Sequence, residues 1–314
     1  MGMFQRAVIV LTLVVSPLLS LSGRAETLHF AWPDGASAKV QARAEGRRVM
    51  RSEKITWDMT SDFTMRVRRA GDRVVVSRHD FSGWKGTFPP SFGGGAERFI
   101  DMVPSFTVSA DGQFQGIEGT ETARKLMYQS VGQSGGLDAM SRSAFETITS
   151  DASLKSMTSD HWSVLNRLWT DVELDPEAVY ELRNVTAVPQ LGGGEIEITG
   201  TVQFVKETPC ASGRSDRRCV HMRAETGADK AQVGKIIQSL IKQAGAERPA
   251  VTAWDQRFKV DIVMDKATML PQQLTLTRIH SMDISVRGES GTASEEMTKT
   301  YTFTWLLPEA EGKK

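Results

Sequence analysis

Gly132-Gln133-Ser134-Gly135-Gly136 spells GxSxG, the frame in which a serine hydroxyl becomes a nucleophile. That chemistry needs a strand running into the serine and a helix leaving it, because the strained turn between them exposes the oxygen. Here Ala123, Leu126, Met127, Ser130 and Val131 repeat at helical spacing just before it, so the pentapeptide joins two helices, where glycine and serine are ordinary. His161, His221 or His280 could supply a base downstream, but no spacing ties any of them to Ser134. A serine hydrolase is therefore only the third choice of function. Ser239-Leu240-Ile241-Lys242 matches SxxK without its SDN and KTG companions, and Leu240 and Ile241 belong to an apolar stripe, so the match reads as chance.

Metal chemistry has no firmer footing. The histidines, at 29, 79, 161, 221 and 280, form no HxH or HExxH pair, and Asp58, Asp62, Asp101 and Asp111 lack the spacing of a calcium loop. Cys210, Cys219 and His221 would make three zinc ligands with no fourth and no CxxC. In an exported chain the two cysteines instead predict a disulfide across the base of a hairpin. Gly93-Gly94-Gly95 and Gly192-Gly193-Gly194 have neither GxGxxG nor P-loop spacing, so no nucleotide, cofactor or metal is expected.

What remains is apolar. Trp57, Met59, Met65, Phe258, Met264, Met282 and Phe303 fall on strand faces, and thioethers both fill irregular gaps and line adaptable cavities. These seven are the candidate lining of a pocket for a hydrophobic ligand, with ordinary core packing as the alternative. Arg278 and His280 share the parity of Leu276 and Met282, so the middle of that strand either leaves the core or lines a polar opening.

The elements that would carry these residues are mostly long strands. Ile55, Trp57, Met59, Phe63, Met65 and Val67 alternate with polar residues, interrupted only by Ser61. Trp254 to Met264, Leu274 to Val286, and Met297, Tyr301, Phe303 and Trp305 repeat the pattern, as do the two arms around the cysteines, Ile196 to Phe204 and Val220 to Ala224. Phe106 to Val108 and Phe114 to Ile117 flank Asp111-Gly112, a tight-turn dipeptide. Helical stripes are expected after a Thr120 cap, from Met140 through Ala144 and Ile148, behind Ser159-Asp160 through Trp162, Leu165 and Trp169, and from Val233 through Ile241, opened by Asp229 and stopped by Gly245. The pattern predicts an α+β fold: one large curved antiparallel sheet, half-barrel-like, with a few helices covering its apolar face.

Met264-Asp265-Lys266-Ala267-Thr268-Met269-Leu270-Pro271 before Gln273-Leu274-Thr275-Leu276, within this order of strands, helices and strands, resembles the half-barrel plan of periplasmic lipoprotein carriers of the Lol type. The resemblance implies an apolar cavity under the sheet holding an acyl chain or another hydrophobic ligand. The chain departs from a typical carrier in being much longer. Uncharacterised exported bacterial families share the same layout.

The first residues set the compartment. A basic start at Arg6, an apolar run from Ala7 to Leu21 and small residues ending at Ala25 predict a cleaved signal at 1–25, with no cysteine at the cleavage point to carry a lipid. Residues 26–308 then form a single β-rich domain and 309–314 a disordered tail. No later stretch is long enough to span a bilayer. Lysine and arginine number 38 against 38 aspartate and glutamate, shifted only by Arg6 and Arg24 when the signal leaves, so no strong field favours nucleic acid or an anionic membrane. The expectation is a periplasmic or secreted, non-catalytic binder or carrier of a lipid or other apolar ligand. The alternative is an envelope scaffold with a filled core, whose protein partner docks on a strand edge or on the basic loop between the cysteines.

Overall fold

The computed structural model describes residues 26–50, 53–83, 85–87, 100–132, 145–146, 149–188, 194–210, 217–229, 231–236, 250–286 and 289–308. The expected export signal at 1–25, Ser134, the expected Met140–Ile148 helix apart from 145–146, Ser239 to Lys242, most of the two glycine triplets, residues 211–216 and the expected tail 309–314 lie outside the described residues.

Twelve strands form one open, curved sheet: β1 (Ser37–Met50), β2 (Glu53–Ala70), β3 (Arg73–His79), β4 (Lys85–Thr87), β5 (Ser105–Ser109), β6 (Phe114–Glu118), β7 (Val179–Val188), β8 (Gly194–Pro209), β9 (Arg218–Ala228), β10 (Ala250–Asp265), β11 (Pro271–Val286) and β12 (Glu289–Leu306). The order across it is β6-β5-β3-β2-β1-β12-β11-β10-β9-β8-β7, with β4 beside β2, and every pairing is antiparallel. The chain therefore winds outward from the centre as one meander, crosses over, and winds back to the centre as another. The expected α+β half-barrel layout is the one observed.

Because β6 and β7 are opposite edges of the sheet, the chain between them must cross its whole width. That crossing holds α1 (Thr120–Gly132) and α2 (Asp151–Leu165). Residues 231–236 are the described part of a further helix, α3. Helix α1 begins at Thr120 itself, so Thr120 is not its cap. The start of α2 lies well before the expected Ser159-Asp160: Ser150 caps it by accepting from Ser153 N, and Leu154 and Thr158 extend the buried stripe of His161, Trp162 and Leu165 backward. Trp169 lies beyond it in the 3-10 turn Arg167–Trp169.

The interior face is closed at one end by tryptophans. Trp32, from the segment before β1, packs against Trp162 of α2 at 5.1 Å between ring centroids, and Phe30 and Phe106 meet the same indole at 5.6 and 5.3 Å. Room for these rings comes from β1, whose inward residues Ala38, Val40, Ala42 and Ala44 are small and buried. The Asp265–Leu270 turn ties this end together. Asp265 Oδ1 accepts from Ala267 N, Thr268 N and Thr268 Oγ1, while Met269 O and Pro271 O receive the indole N–H groups of Trp32 and Trp305. The segment that carries the resemblance to carrier proteins is thus the anchor of the segment preceding β1.

Candidate functional site

Register converts the interior face into rows running across the strands. Phe63–Val40–Phe303 is wholly apolar; the next, Ser61–Ala42–Tyr301–Leu274–Ile262, adds hydroxyls. Met59–Ala44–Lys299–Leu276–Val260 brings in a charge, and Trp57–Gly46–Met297–Arg278–Phe258 another. Ile55–Arg48–Glu295–His280–Gln256 is mostly polar. The face therefore grades from a packed apolar end to a polar one.

The candidate lining residues divide along this gradient. Met59, Met65, Met264 and Phe303 are buried in one cluster with Trp32, Trp162 and Trp169. Trp57 joins the edge of that cluster and lies over Gly46, where an added Cβ would meet its ring at 2.2 Å. Phe258 is 38% exposed, although Val260, Ile262 and Met264 on the same strand and parity are buried. Met282 packs half-buried against a separate cluster of Ile196, Val233 of α3 and Trp254. Phe258 and Met282 thus stand outside the main core toward the polar end, and the other five are core, with Trp57 at its edge.

Among the described residues two groups of charged side chains sit on the interior face. The deeper one sits where Asp101, from the 3-10 turn Ile100–Met102, reaches β12. Its Oδ1 accepts from Tyr301 OH at 2.8 Å and from Lys299 Nζ at 3.2 Å, and Lys299 Nζ is also 3.1 Å from Oδ2. Arg78 of β3 stacks over Phe63 at 5.1 Å, near enough to feel Asp101 and Tyr301. His161 of α2 meets the Tyr301 ring edge-on at 5.8 Å. Burial, then the positive charges of Arg78 and Lys299, hold its pKa well below the ordinary histidine value, so the imidazole is neutral. Burial, with the charge of Asp101, pushes the Tyr301 phenol well up. A cluster paired in this way clamps the turn and α2 to the sheet.

The outer group lies in the polar row. Glu295 accepts from Arg48 Nε at 2.8 Å on Oε2 and from Arg278 Nη2 at 2.7 Å on Oε1. Arg48 also lies over the Trp57 ring at 5.9 Å. His280 faces Trp254 with ring centroids 4.2 Å apart. Burial and Arg278 lower the pKa of His280. Parity along the strand singles out Arg278 and His280 from sequence; Arg48, Glu295 and the Asp101–Lys299 pair carry no spacing signal.

Depressions of about 500 and about 400 Å³ lie on the opposite, outer face, lined by residues such as Glu45, Arg47, Asp58 and Glu296 and by Lys39, Asp62, Thr64 and Thr304. They are open, and Arg47 there is paired to Glu296 at 2.8 Å, so they are solvated troughs of a twisted sheet rather than a site with its own chemistry. Threonine pairs Thr275–Thr300 and Thr277–Thr298 and the His221–Asp261–Arg223 group cover more of that face. Cys210 and Cys219 form the expected disulfide at the base of the β8–β9 hairpin, Cα atoms 5.1 Å apart. Among the described residues no His, Cys, Asp and Glu cluster has the makings of a metal site, and no helix is long and apolar enough to cross a membrane.

No protein-family model matches this chain, and no curated protein matches it. Among solved structures, Pseudomonas aeruginosa OpdQ aligns at 10% identity over 87% of this chain and 98% of its own, with a TM-score of 0.18, a likeness too slight to bear on fold or function.

Proposed function

We propose that this is an exported, non-catalytic binding or carrier protein that takes an amphipathic ligand at the polar end of its interior face. The likeness of layout to Lol-type carriers belongs to the same proposal. Phe258 carries the reading. It is an aromatic ring on the face that elsewhere forms the core, yet it is 38% exposed, beside Met297 and Arg278 in its row. Apolar surface left open next to a few convergent polar groups is what a site for a chain with a polar end requires. The leader at 1–25 and the disulfide support export to an oxidising periplasmic or extracellular space.

Purified protein titrated with a fluorescent fatty acid, and its organic extract analysed by mass spectrometry, test this reading. Saturable binding is expected, weakened about tenfold or more by Phe258→Asp, which puts a charge where the chain would lie, and little changed by a substitution on the outer face such as Thr300→Ser. Absence of both binding and a co-purified amphiphile would sink it and leave the envelope-scaffold alternative, which the tryptophan-packed end supports.

A further inference from the structure

Two buried nitrogens stand without a hydrogen-bond partner near the polar end of the interior face. Trp254 of β10 and His280 of β11 lie ring against ring, 4.2 Å between centroids and tilted by 52°. Trp254 is 8% exposed, and both its Nε1 and His280 Nε2 are buried with no hydrogen-bond partner. An indole nitrogen donates and never accepts, so the group that would complete it is an acceptor. A buried donor left unmet costs on the order of 1–3 kcal/mol, so two such nitrogens on adjacent rings call for a ligand of defined chemistry.

The neighbours narrow that chemistry further. Arg278 is two residues from His280 on the same parity, and it shares the Glu295 carboxylate with Arg48, so two guanidinium groups and one carboxylate stand beside the pair. Burial keeps His280 neutral, and a neutral imidazole can present N–H at Nε2. Phe258 pairs with Arg278 in register, diagonal to His280 and four residues along β10 from Trp254, and supplies open apolar surface on the same face. Trp57 Nε1 is also buried and unpartnered, but β2 is four strands from β10, roughly 19 Å at the usual spacing, so it belongs to no common contact.

We infer that Trp254 Nε1 and His280 Nε2 form an oxyanion head-group subsite, which receives the carboxylate or phosphate oxygen of an amphiphile whose apolar part lies over Phe258. The inference rests on the binding reading above and adds the head-group class to it.

Three probes with the same twelve-carbon tail test it: laurate, dodecyl phosphate and dodecanol, titrated by calorimetry against the full protein and against Trp254→Phe, which removes the N–H and keeps most of the ring. The wild type is expected to bind one or both anions at least tenfold more tightly than dodecanol. Trp254→Phe is expected to weaken the anions about tenfold while leaving dodecanol unchanged. Preference for laurate assigns a carboxylate head and preference for dodecyl phosphate a phosphate head. Equal affinity for all three, or a Trp254→Phe protein that keeps the anion preference, overturns the subsite and leaves the binding reading standing. Failure of every probe to bind overturns both. If circular dichroism shows Trp254→Phe to be unfolded, His280→Phe carries the same comparison: a selective loss of anion affinity supports the subsite, and a retained anion preference overturns it.

Discussion

At His161 a single proton links the interior to pH. The folded protein holds this imidazole, set against Tyr301 with Arg78 and Lys299 close by, well below the ordinary histidine value. The unfolded chain therefore takes up the proton first as pH falls. Stability is full above about pH 6.5 and drains below it, by about 1.4 kcal/mol per pH unit for one such group, until the folded pKa is reached. His280 is lowered in the same direction and adds to the loss. Urea unfolding followed from pH 7 to pH 5 should show His161→Asn losing stability less steeply than the wild type. An unchanged slope would remove His161 from this role. The cluster around it is not legible in the sequence. No spacing connects Lys299 to Asp101, which lies 198 residues away. Parity does expose Arg278 and His280, because polar side chains in an otherwise apolar series are themselves a signal.

Strands differ in how plainly they can be read. β2 and the second half of β12, from Met297 on, with large side chains at most second positions, announce themselves, and their burial follows that alternation. β1 alternates just as regularly, but its inward residues Ala38, Ala42, Ala44 and Gly46 are small, so the series lacks the bulky side chains that mark a core strand. Their smallness is the point: it leaves space for Trp32, Trp162 and Trp57. β7 and the short β4 lack a strong pattern as well. In α2 the Trp162 stripe is plain but its beginning is not, since Thr158 and Leu154 alone do not mark a first turn. The β1–β2 fit makes a sharp prediction. Gly46→Ala puts a methyl where the Trp57 ring lies, and overpacking of this kind costs about 1–3 kcal/mol. A denaturation midpoint indistinguishable from that of the wild type would mean that the indole moves aside freely.

For the whole molecule, the disulfide and the central strand pair matter most. Cys219 pairs in register with both Thr208 and Asp265, so the bridge pins the end of the β8–β9 hairpin beside the Asp265 turn that anchors Trp32. Closing so short a loop restricts the unfolded chain by roughly 2–3 kcal/mol in the chain-entropy account. A Cys210→Ser, Cys219→Ser double variant should lose about that much in equilibrium unfolding while its far-ultraviolet circular dichroism stays the same. A loss near zero would show that the unfolded chain is already constrained there. The overall plan is legible because alternation persists through long strands such as the 18-residue β2. The order of strands is not, because no local pattern says that the first and last of them meet.

That meeting gives the sheet a direction in which it is weak. β1 and β12 pair from Ser37↔Leu306 to Met50↔Ala293, so the chain enters and leaves the sheet at the same end of the same ladder. Once the segment that holds Leu28 and Trp32 has been pulled free, tension along the chain on its two sides falls on the Ser37–Leu306 pair and opens the ladder one rung at a time, like a zipper, instead of shearing many hydrogen bonds together. A pulling machine that grips the chain at either end would therefore split this large sheet down its centre at low force, into its two meanders.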